Sequence, residues 1–243
     1  MINVIVSGYK GRVGQEIAKA IVKDPELQMA GGVDVGDDLA QMIKDTKADV
    51  VVDFTHPSVR LENFLTIIEH GARPVVGTTG YNENEIADLQ VMCREKNIGA
   101  IIAPNFAIGA ILMMKFAAQA AKYLDCAEIV ELHHEKKEDF PSGTAVKTAQ
   151  LMLNVRQEFN KDVKDKVVNL EGARGANAGG IHIHSVRLPG FVAHQEVIFG
   201  TLGQTLTIRH DSISRESFMP GVIMAVKKVM TINELIYGLE NII

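Results

Sequence analysis

The stretch Ile2-Asn-Val-Ile-Val-Ser-Gly-Tyr-Lys-Gly-Arg-Val-Gly14 opens the chain and decides the fold class. The run Ile2–Ser7 is mostly β-branched, which is typical of a buried parallel strand. From Val13 onward, apolar residues recur at helical spacing. Strand, glycine turn and helix are the parts of a dinucleotide-binding unit. We therefore predict a phosphate-binding turn here, with a glycine-rich turn that holds no ligand as the alternative.

The three glycines of this turn have separate predicted roles. Gly8 permits the tight turn, Gly11 lets a phosphate approach the backbone, and Gly14 lets helix and strand pack closely. The diphosphate would lie at the positive N-terminus of the helix. The spacing GxxGxxG differs from the commoner GxGxxG, so the match is weak by itself. The residues of the turn predicted to contact the cofactor are Gly8, Tyr9, Lys10, Gly11, Arg12 and Val13.

Asp34 strengthens the prediction of a nucleotide site. It follows a second predicted strand, Leu27–Val33, where a carboxylate can accept hydrogen bonds from the adenosine ribose. Asp34 favours NADH, because its charge would repel the 2′-phosphate of NADPH. Lys10 and Arg12 lie in the glycine turn and could pair with that phosphate. We therefore predict that the protein uses both NADPH and NADH.

Strands and helices continue to alternate as far as residue 103. Helices are predicted at 37–44, 59–70 and 83–96, with Ser58 as the cap of the second, and strands at 49–53, 74–76 and 98–103. This order predicts an α/β fold with a Rossmann-like, doubly wound parallel sheet.

Ligands of such sheets bind beyond the carboxyl ends of the strands. Three loops lie at those ends, and their small, hydrogen-bonding residues suit a nicotinamide ribose and carboxamide. These loops are Phe54-Thr55, Gly77-Thr78-Thr79 and Ala103-Pro104-Asn105-Phe106. His56 lies in the first loop, and we expect a lone loop histidine to be solvated rather than catalytic.

A different pattern begins near residue 105. A largely apolar helix (109–123) and a strand (127–133) are followed by a helix at 145–159, a polar segment at 160–166 that we expect to be mobile, and a flexible loop at 172–180. Three strands then follow without helices between them, which predicts a mixed or antiparallel sheet.

The last helix (218–230) and the tail are expected to return to the first sheet. We therefore predict a dinucleotide-binding domain at 1–104 and 215–243, and a mixed α+β substrate-binding and oligomerisation domain at 105–214. Two crossings between domains suit closure over bound ligands.

The second candidate site is the stretch Glu131-Leu-His-His-Glu-Lys-Lys-Glu-Asp-Phe-Pro-Ser-Gly-Thr-Ala145. Imidazoles exchange protons near neutral pH, and lysines attract carboxylates. The Ser-Gly-Thr run opens a helix, whose free backbone N–H groups and hydroxyls suit an anion. We therefore predict that this loop binds and protonates an anionic substrate. A solvated, charged loop is the alternative.

The composition places limits on partners and location. The chain has 243 residues, 47% of them hydrophobic, with a net charge of −5. This charge argues against nucleic acid as a partner. Two cysteines without metal-ligand spacing suit the reducing cytoplasm, and we expect a cytoplasmic protein. Its longest apolar run is too short to span a membrane, so we expect no membrane association.

The stretch Glu131–Ala145 resembles the signature of the dihydrodipicolinate reductase family. Further landmarks of that family follow the same order along essentially the whole chain: Gly8 to Gly14, Gly77-Thr-Thr-Gly80, Ala103-Pro-Asn-Phe106, Ser185-Val-Arg187 with Gly190 and His194, and Arg215 with Phe218 and Gly221. Phe140 departs from the pattern, because the family usually has alanine there. We expect this change to alter the mobility of the loop and to leave function intact.

The resemblance implies an enzyme of lysine and diaminopimelate biosynthesis. Such enzymes deliver hydride from NAD(P)H to ring C4 of a cyclic dicarboxylate imine, and they are commonly homotetramers joined through the sheets of their substrate domains. By resemblance, His133 and Lys137 are the acid/base pair, and His134, Ser142, Gly143 and Thr144 belong to the substrate site. The residue chemistry agrees, since hydride addition to a conjugated imine leaves charge that an acid must neutralise. Arg187 and Lys136 would add positive charge.

Three other functions fit parts of the sequence. A different nicotinamide oxidoreductase would share the first domain and act on another small dicarboxylate or amino acid. A non-enzymatic NAD(P) sensor would need the glycine turn and Asp34, but not His133 or Lys137. A metal enzyme would use His182 and His184, which share one strand face. We do not expect a metal, because no Cys, Asp or Glu completes a ligand set at a recognisable spacing.

Overall fold

The computed structural model describes residues 1–163 and 167–243. These residues form two compact units. The first unit comprises Met1–Ile108 and Arg215–Ile243, and the second comprises Gly109–Ser214. The first unit extends to Ile108 rather than to residue 104, because Phe106 is buried in it and its ring packs 5.3 Å from that of Phe54. The polar segment predicted at 160–166 falls partly on residues 164–166, which lie outside the described residues.

Helices and strands are numbered in chain order. The helices are α1 (Arg12–Lys23), α2 (Leu39–Thr46), α3 (Arg60–Glu69), α4 (Glu83–Glu95), α5 (Ile108–Ala120), α6 (Gly143–Val155) and α7 (Met219–Val229). The strands are β1 (Ile2–Ser7), β2 (Leu27–Val33), β3 (Val50–Asp53), β4 (Arg73–Val76), β5 (Ala100–Ile102), β6 (Cys126–His133), β7 (Ala176–Ala178), β8 (Ile181–Arg187), β9 (Ala193–Thr201), β10 (Gln204–Ser212) and β11 (Leu235–Tyr237).

The first unit is built on a six-stranded parallel sheet in the order β11-β5-β4-β3-β1-β2. Its inner strands contain apolar runs that are buried between covering helices, and Val4–Val6 and Val50–Val52 are fully buried. The Rossmann-like fold class is thereby confirmed. The tail also returns to this sheet as predicted, since Leu235 of β11 pairs with Ala100 of β5.

One helix start in the first unit differs from the prediction. Ser58 does not cap α3, because it lies inside a short 3₁₀ turn, Pro57–Val59. The side chain of His56 caps this turn instead, with Nδ1 accepting from the Ser58 backbone N–H at 3.2 Å. A ring nitrogen replaces the expected hydroxyl as the capping acceptor, and His56 therefore has a structural role.

The second unit contains a five-stranded mixed sheet in the order β10-β9-β6-β8-β7. Strand β6 lies at its centre, parallel to β8 and antiparallel to β9. Alternate residues of these strands bury Ile129, Ile183 and Val197 against Met152 of α6. The predicted mixed sheet is confirmed, although β8 pairs with β6 rather than with the strand that follows it.

Two predictions in the second unit are wrong. The stretch 172–180 is not only a loop, because β7 lies within it and pairs with β8. Helix α6 runs from Gly143 to Val155 rather than from 145 to 159. It begins early because Ser142 caps it, and it ends early because Arg156 adopts an extended conformation and its Nε donates to the Ala121 carbonyl at 2.9 Å. Within the described residues, no helix is long and apolar enough to cross a membrane.

Candidate active site

The glycine turn connects β1 to α1 in a conformation that requires glycine at two positions. Gly8 has φ +84°, and a Cβ atom there would lie 2.4 Å from the Phe54 carbonyl oxygen. A Cβ atom on Gly14 would lie 2.1 Å from the Gly8 carbonyl oxygen. The N–H groups of Gly8 and Tyr9 donate to the Val33 carbonyl at 2.9 and 3.1 Å, which joins the turn to β2.

The N-terminus of α1 fits a diphosphate. Gly11 is the N-cap, with no side-chain capping bond, and the first turn of the helix contains no acidic residue. The first N–H groups of a helix have no partners within it and carry partial positive charge. A cleft of about 320 Å³ lies against this helix end in the first unit. Its lining includes Gly11, Arg12, Val13, Gly14, Gly77, Thr78 and Thr79.

Asp34 lies at the end of β2, as the sequence predicts for that strand. Its carboxylate accepts from the backbone N–H groups of Val35 at 2.9 Å and Lys10 at 2.8 Å. These two bonds hold the pKa of Asp34 below its usual range. The side chains of Lys10 and Arg12 are exposed. The negative charge of Asp34 and the positive charges of Lys10 and Arg12 therefore all lie at or beside the glycine turn.

Asp53 is a buried carboxylate beside the cleft that we did not predict from the sequence. Its Oδ1 accepts from the Thr55 hydroxyl at 2.6 Å and from the Thr78 hydroxyl at 3.2 Å, and its Oδ2 accepts from Asn63 at 3.1 Å. Burial raises the pKa of Asp53, and these hydrogen bonds oppose the shift. Asp53 therefore holds together two threonines that line the cleft. Its position at the carboxyl end of a buried strand was the available signal.

The predicted loop 103–106 is not among the described residues that line this cleft. Ala103 is buried, and its N–H donates to the Val76 carbonyl at 2.9 Å. The side chain of Asn105 accepts from the Ala107 N–H at 2.9 Å. Pro104 is exposed, whereas the Phe106 ring lies against Phe54, which does line the cleft.

The second candidate site is formed where β6 leads into α6. His133 is the last residue of β6, and its Nδ1 lies 2.5 Å from Oε2 of the buried Glu131. In the loop that follows, Lys137 donates its N–H to the His134 carbonyl at 3.2 Å. Lys137 Nζ lies 2.6 Å from the Asp139 carboxylate, and this contact lowers the pKa of Asp139. The structure therefore places the two predicted acids in one segment of the second unit.

The start of α6 is the part of this loop for which we predicted anion binding. The Ser142 hydroxyl accepts from the Ala145 N–H at 3.2 Å, and the Ser142 N–H donates to Glu131 at 3.2 Å. Ser142 is buried and has a capping role. Gly143 and Thr144 are the first residues of the helix, and a Cβ atom on Gly143 would meet no atom of the described residues within 4 Å. Open space therefore adjoins the helix N-terminus at Gly143.

The strand histidines have protein partners. His182 Nδ1 lies 2.7 Å from the Arg174 carbonyl, and His184 Nε2 lies 2.8 Å from Glu128 Oε2. His194 Nδ1 lies 2.6 Å from the Asp211 carboxylate. Among residues 1–163 and 167–243, no three His, Cys, Asp or Glu side chains are grouped so that they could hold a metal ion.

Comparison with known families assigns both parts of the chain to one family. Residues 2–106 match the family model described as dihydrodipicolinate reductase, N-terminus, and residues 109–243 match the model of its C-terminus. This chain belongs to the dihydrodipicolinate reductase family. The family consists of pyridine-nucleotide-dependent oxidoreductases with a Rossmann nucleotide-binding domain, so the predicted family and enzyme class are confirmed.

Relatives match over the full chain. A 4-hydroxy-tetrahydrodipicolinate reductase of Listeria monocytogenes serotype 4b (strain CLIP80459) is 50% identical over 99% of this chain and 99% of its own length. A 4-hydroxy-tetrahydrodipicolinate reductase of Streptococcus pneumoniae serotype 19F (strain G54) is 49% identical over 100% of this chain and 99% of its own length. The solved structure of dipicolinate-bound dihydrodipicolinate reductase from Paenisporosarcina sp. TG-14 has a TM-score of 0.92, 42% identity and 100% coverage of both chains.

Proposed function

We propose that this protein reduces (2S,4S)-4-hydroxy-2,3,4,5-tetrahydrodipicolinate to tetrahydrodipicolinate with NADPH or NADH, in lysine and diaminopimelate biosynthesis. The observation that carries the proposal is the segment from His133 to Thr144. It joins an imidazole and an ammonium group to a helix N-terminus beside open space. Membership in the reductase family supports the same reaction.

The chemistry requires one proton for each hydride. When bound, the reduced nicotinamide supplies the hydride, which is added at ring C4 as water is lost. The balanced reaction takes up one proton, because substrate, NAD(P)H and H⁺ give product, NAD(P)⁺ and water. We assign this proton delivery to His133 and Lys137. Imidazole and ammonium groups are side chains that commonly serve as proton donors in enzymes.

The substrate is a small cyclic dicarboxylate, and its carboxylates need donors. The N–H groups of Gly143 and Thr144 open α6 and suit one carboxylate. We assign His134 to the same site. Ser142 contributes by capping the helix, because its hydroxyl and its N–H already have partners in the protein. The relative solved with dipicolinate, which is a planar cyclic dicarboxylate, supports this class of substrate.

The first unit is the proposed dinucleotide-binding domain. The open N-terminus of α1 would hold the diphosphate, Asp34 the adenosine ribose, and Thr78 and Thr79 the nicotinamide end. The charge of Asp34 opposes the 2′-phosphate of NADPH, while Lys10 and Arg12 attract it. We therefore propose that both cofactors are used. The loop 103–106 would act at the nicotinamide end through Phe106, which packs on Phe54.

The second unit is the proposed substrate-binding and oligomerisation domain, and we propose a homotetramer in the cytoplasm. Strand β10 lies at one edge of the mixed sheet, and most of its residues are exposed. An exposed edge or sheet face favours association with another copy. The proposed location rests on a separate observation, since two free cysteines suit a reducing compartment such as the cytoplasm. Light scattering would test the tetramer, and a monomer at micromolar concentration would contradict it.

A coupled assay tests the proposed reaction. Dihydrodipicolinate synthase supplies the unstable substrate, NADPH or NADH is added, and the fall in absorbance of the reduced cofactor is followed. Turnover that depends on the synthase product supports the proposal. Turnover only with another small dicarboxylate or amino acid would favour a different oxidoreductase, and binding of NADPH without single-turnover oxidation would favour a sensor. Activity that is lost after chelation would favour a metal enzyme.

A further inference from the structure

Glu131 is a fully buried carboxylate to which neither the sequence nor the proposed reaction assigns a role. Its Oε2 lies 2.5 Å from His133 Nδ1 and accepts from Arg187 Nη1 at 2.8 Å. Its Oε1 accepts from Arg187 Nη2 at 2.8 Å and from the Ser142 N–H at 3.2 Å. A buried charge is tolerated only when it is paired and hydrogen-bonded, and Glu131 meets both conditions.

The ionisation of Glu131 determines which ring nitrogen of His133 carries a hydrogen. Burial opposes ionisation, but hydrogen bonds from His133, Arg187 and Ser185 outweigh it and lower the pKa of Glu131 to about 2. An ionised carboxylate can only accept hydrogen bonds, so His133 must donate through Nδ1–H. The other ring nitrogen, Nε2, is then the one that can exchange a proton with a substrate.

Arg187 extends the network to the second proposed acid. Besides its two bonds to Glu131, Nη2 of Arg187 donates to the Asp139 carbonyl at 2.7 Å. The Asp139 carboxylate in turn contacts Lys137 Nζ at 2.6 Å. One buried ion pair between β6 and β8 therefore connects His133, the loop that carries Lys137 and the start of α6.

We infer that Glu131, held by Arg187, is a positioning residue for proton delivery: it selects the Nδ1–H form of His133 and orders the loop of Lys137 and the start of α6. The inference rests on the proposed function for its catalytic meaning. Fixing a catalytic group in the productive geometry contributes to the rate without touching substrate. An ion pair that only stabilises the fold would leave the histidine form and the chemical step unaffected.

The chain contains a matched control on the same strand. Glu128 also contacts a histidine and an arginine, since its carboxylate lies 2.8 Å from His184 Nε2 and pairs with Arg174. Side chains alternate along a strand, so Glu128 and Glu131 lie on opposite faces of the sheet. Glu128→Gln therefore removes a similar ion pair without touching His133.

Nuclear magnetic resonance of the full chain labelled with ¹⁵N-histidine tests the first part of the inference. Long-range ¹H–¹⁵N spectra distinguish Nδ1–H from Nε2–H rings, and they are recorded at about pH 9, where imidazoles are neutral. The signal of His133, assigned by its loss in His133→Asn, is expected to show Nδ1–H. It should keep that form in Glu128→Gln and lose it in the double variant Glu131→Met/Arg187→Met. An Nε2–H ring in the unmodified protein would overturn the inference.

Kinetics test the second part. In Glu131→Gln, kcat is expected to fall about 100-fold, while KM for the dicarboxylate changes by less than about threefold. Glu128→Gln, on the opposite face of β6, should leave both constants unchanged. If Glu131→Gln fails to fold because Arg187 is left unpaired, the double variant is measured instead, since it removes both charges. A folded variant that keeps kcat within about threefold would overturn the positioning role.

The two hypotheses fail in different ways. If the unmodified protein shows no synthase-dependent turnover, the proposed reaction is wrong, and the resonance experiment still decides the form of His133. If the unmodified protein is active and both Glu131 variants match its kcat, the reaction stands and the positioning role is wrong.

Discussion

Gly14 lies directly against Gly8, because a Cβ atom on Gly14 would be 2.1 Å from the Gly8 carbonyl oxygen. Gly14→Ala would therefore push α1 away from the glycine turn. Such overpacking destabilises a protein by about 1–3 kcal/mol, and it should also weaken cofactor binding because the α1 N-terminus moves. Urea unfolding and calorimetric titration with NADPH measure the two effects.

Gly200→Ala is the control for this substitution, since its added Cβ would meet no atom within 4 Å in the part of the chain that the structure describes. We expect its stability to stay within about 0.5 kcal/mol of the unmodified protein. Unchanged stability and NADPH affinity in Gly14→Ala would contradict the close packing of the turn.

Asp53 is predicted to contribute to cofactor binding by fixing the positions of Thr55 and Thr78, which line the cleft. Asp53→Ala removes the acceptor shared by Thr55 and Thr78, and each buried donor left without a partner costs about 1–3 kcal/mol. We expect both lower stability and weaker NADPH binding. Asp49→Ala is the control. The Asp49 carboxylate accepts from the Asn3 N–H, so this substitution also removes an acceptor. Asp49 precedes the first residue of β3, whereas Asp53 is its last residue. It should lower stability while the dissociation constant of NADPH is unchanged.

Asp34 is predicted to moderate cofactor choice. The unmodified protein should use NADH and NADPH with Michaelis constants that differ by less than about a thousandfold, roughly 4 kcal/mol. Asp34→Asn removes the charge opposing the 2′-phosphate, and the preference should move toward NADPH by about tenfold or more. Asp38→Asn is the control, because asparagine caps α2 as well as aspartate does. An unchanged preference in Asp34→Asn would exclude this role.

His133→Ala is predicted to remove a general acid. Turnover in the coupled assay should fall by a factor of about 100 to 10,000, with the circular dichroism spectrum unchanged. His70→Ala serves as a control, since this histidine bonds the Thr66 carbonyl in the first unit. Turnover of His133→Ala within about threefold of the unmodified protein would mean that another group donates the proton.

Acid is predicted to destabilise the protein partly through Glu131. Its folded pKa of about 2 lies below the ordinary value of 4.5, so its contribution is present above about pH 4.5 and is lost as the pH falls toward 2. The shift corresponds to about 3 kcal/mol. Urea unfolding at about pH 6 and pH 3 should show a smaller loss for Glu131→Met/Arg187→Met than for the unmodified protein. Equal losses would contradict the lowered pKa.

Local patterns in the sequence predicted the Rossmann-like fold of the first unit. They also predicted the glycine turn of the first site and the histidine–lysine loop of the second. The run Ile2–Ser7 and the glycines after it specify strand and turn through residues that are neighbours in the chain. The buried run Val50–Asp53 and the imidazole–lysine loop after β6 are also local. The start of α3 was less predictable, because His56 caps the preceding 3₁₀ turn through side-chain geometry that the pattern does not specify.

Only the tertiary structure decided which residues that are distant in the sequence bind the same buried carboxylate. Asp53 binds Thr78, which is 25 positions away, and Glu131 binds Arg187, which is 56 positions away. Strand β8 follows β6 only after a long segment, yet the two pair in parallel, and this pairing brings Arg187 level with His133. By itself, the sequence determined the turn, the strands and the chemical groups available. Strand order and register decided which groups meet, because they depend on the packing of the whole sheet and leave no short-range pattern.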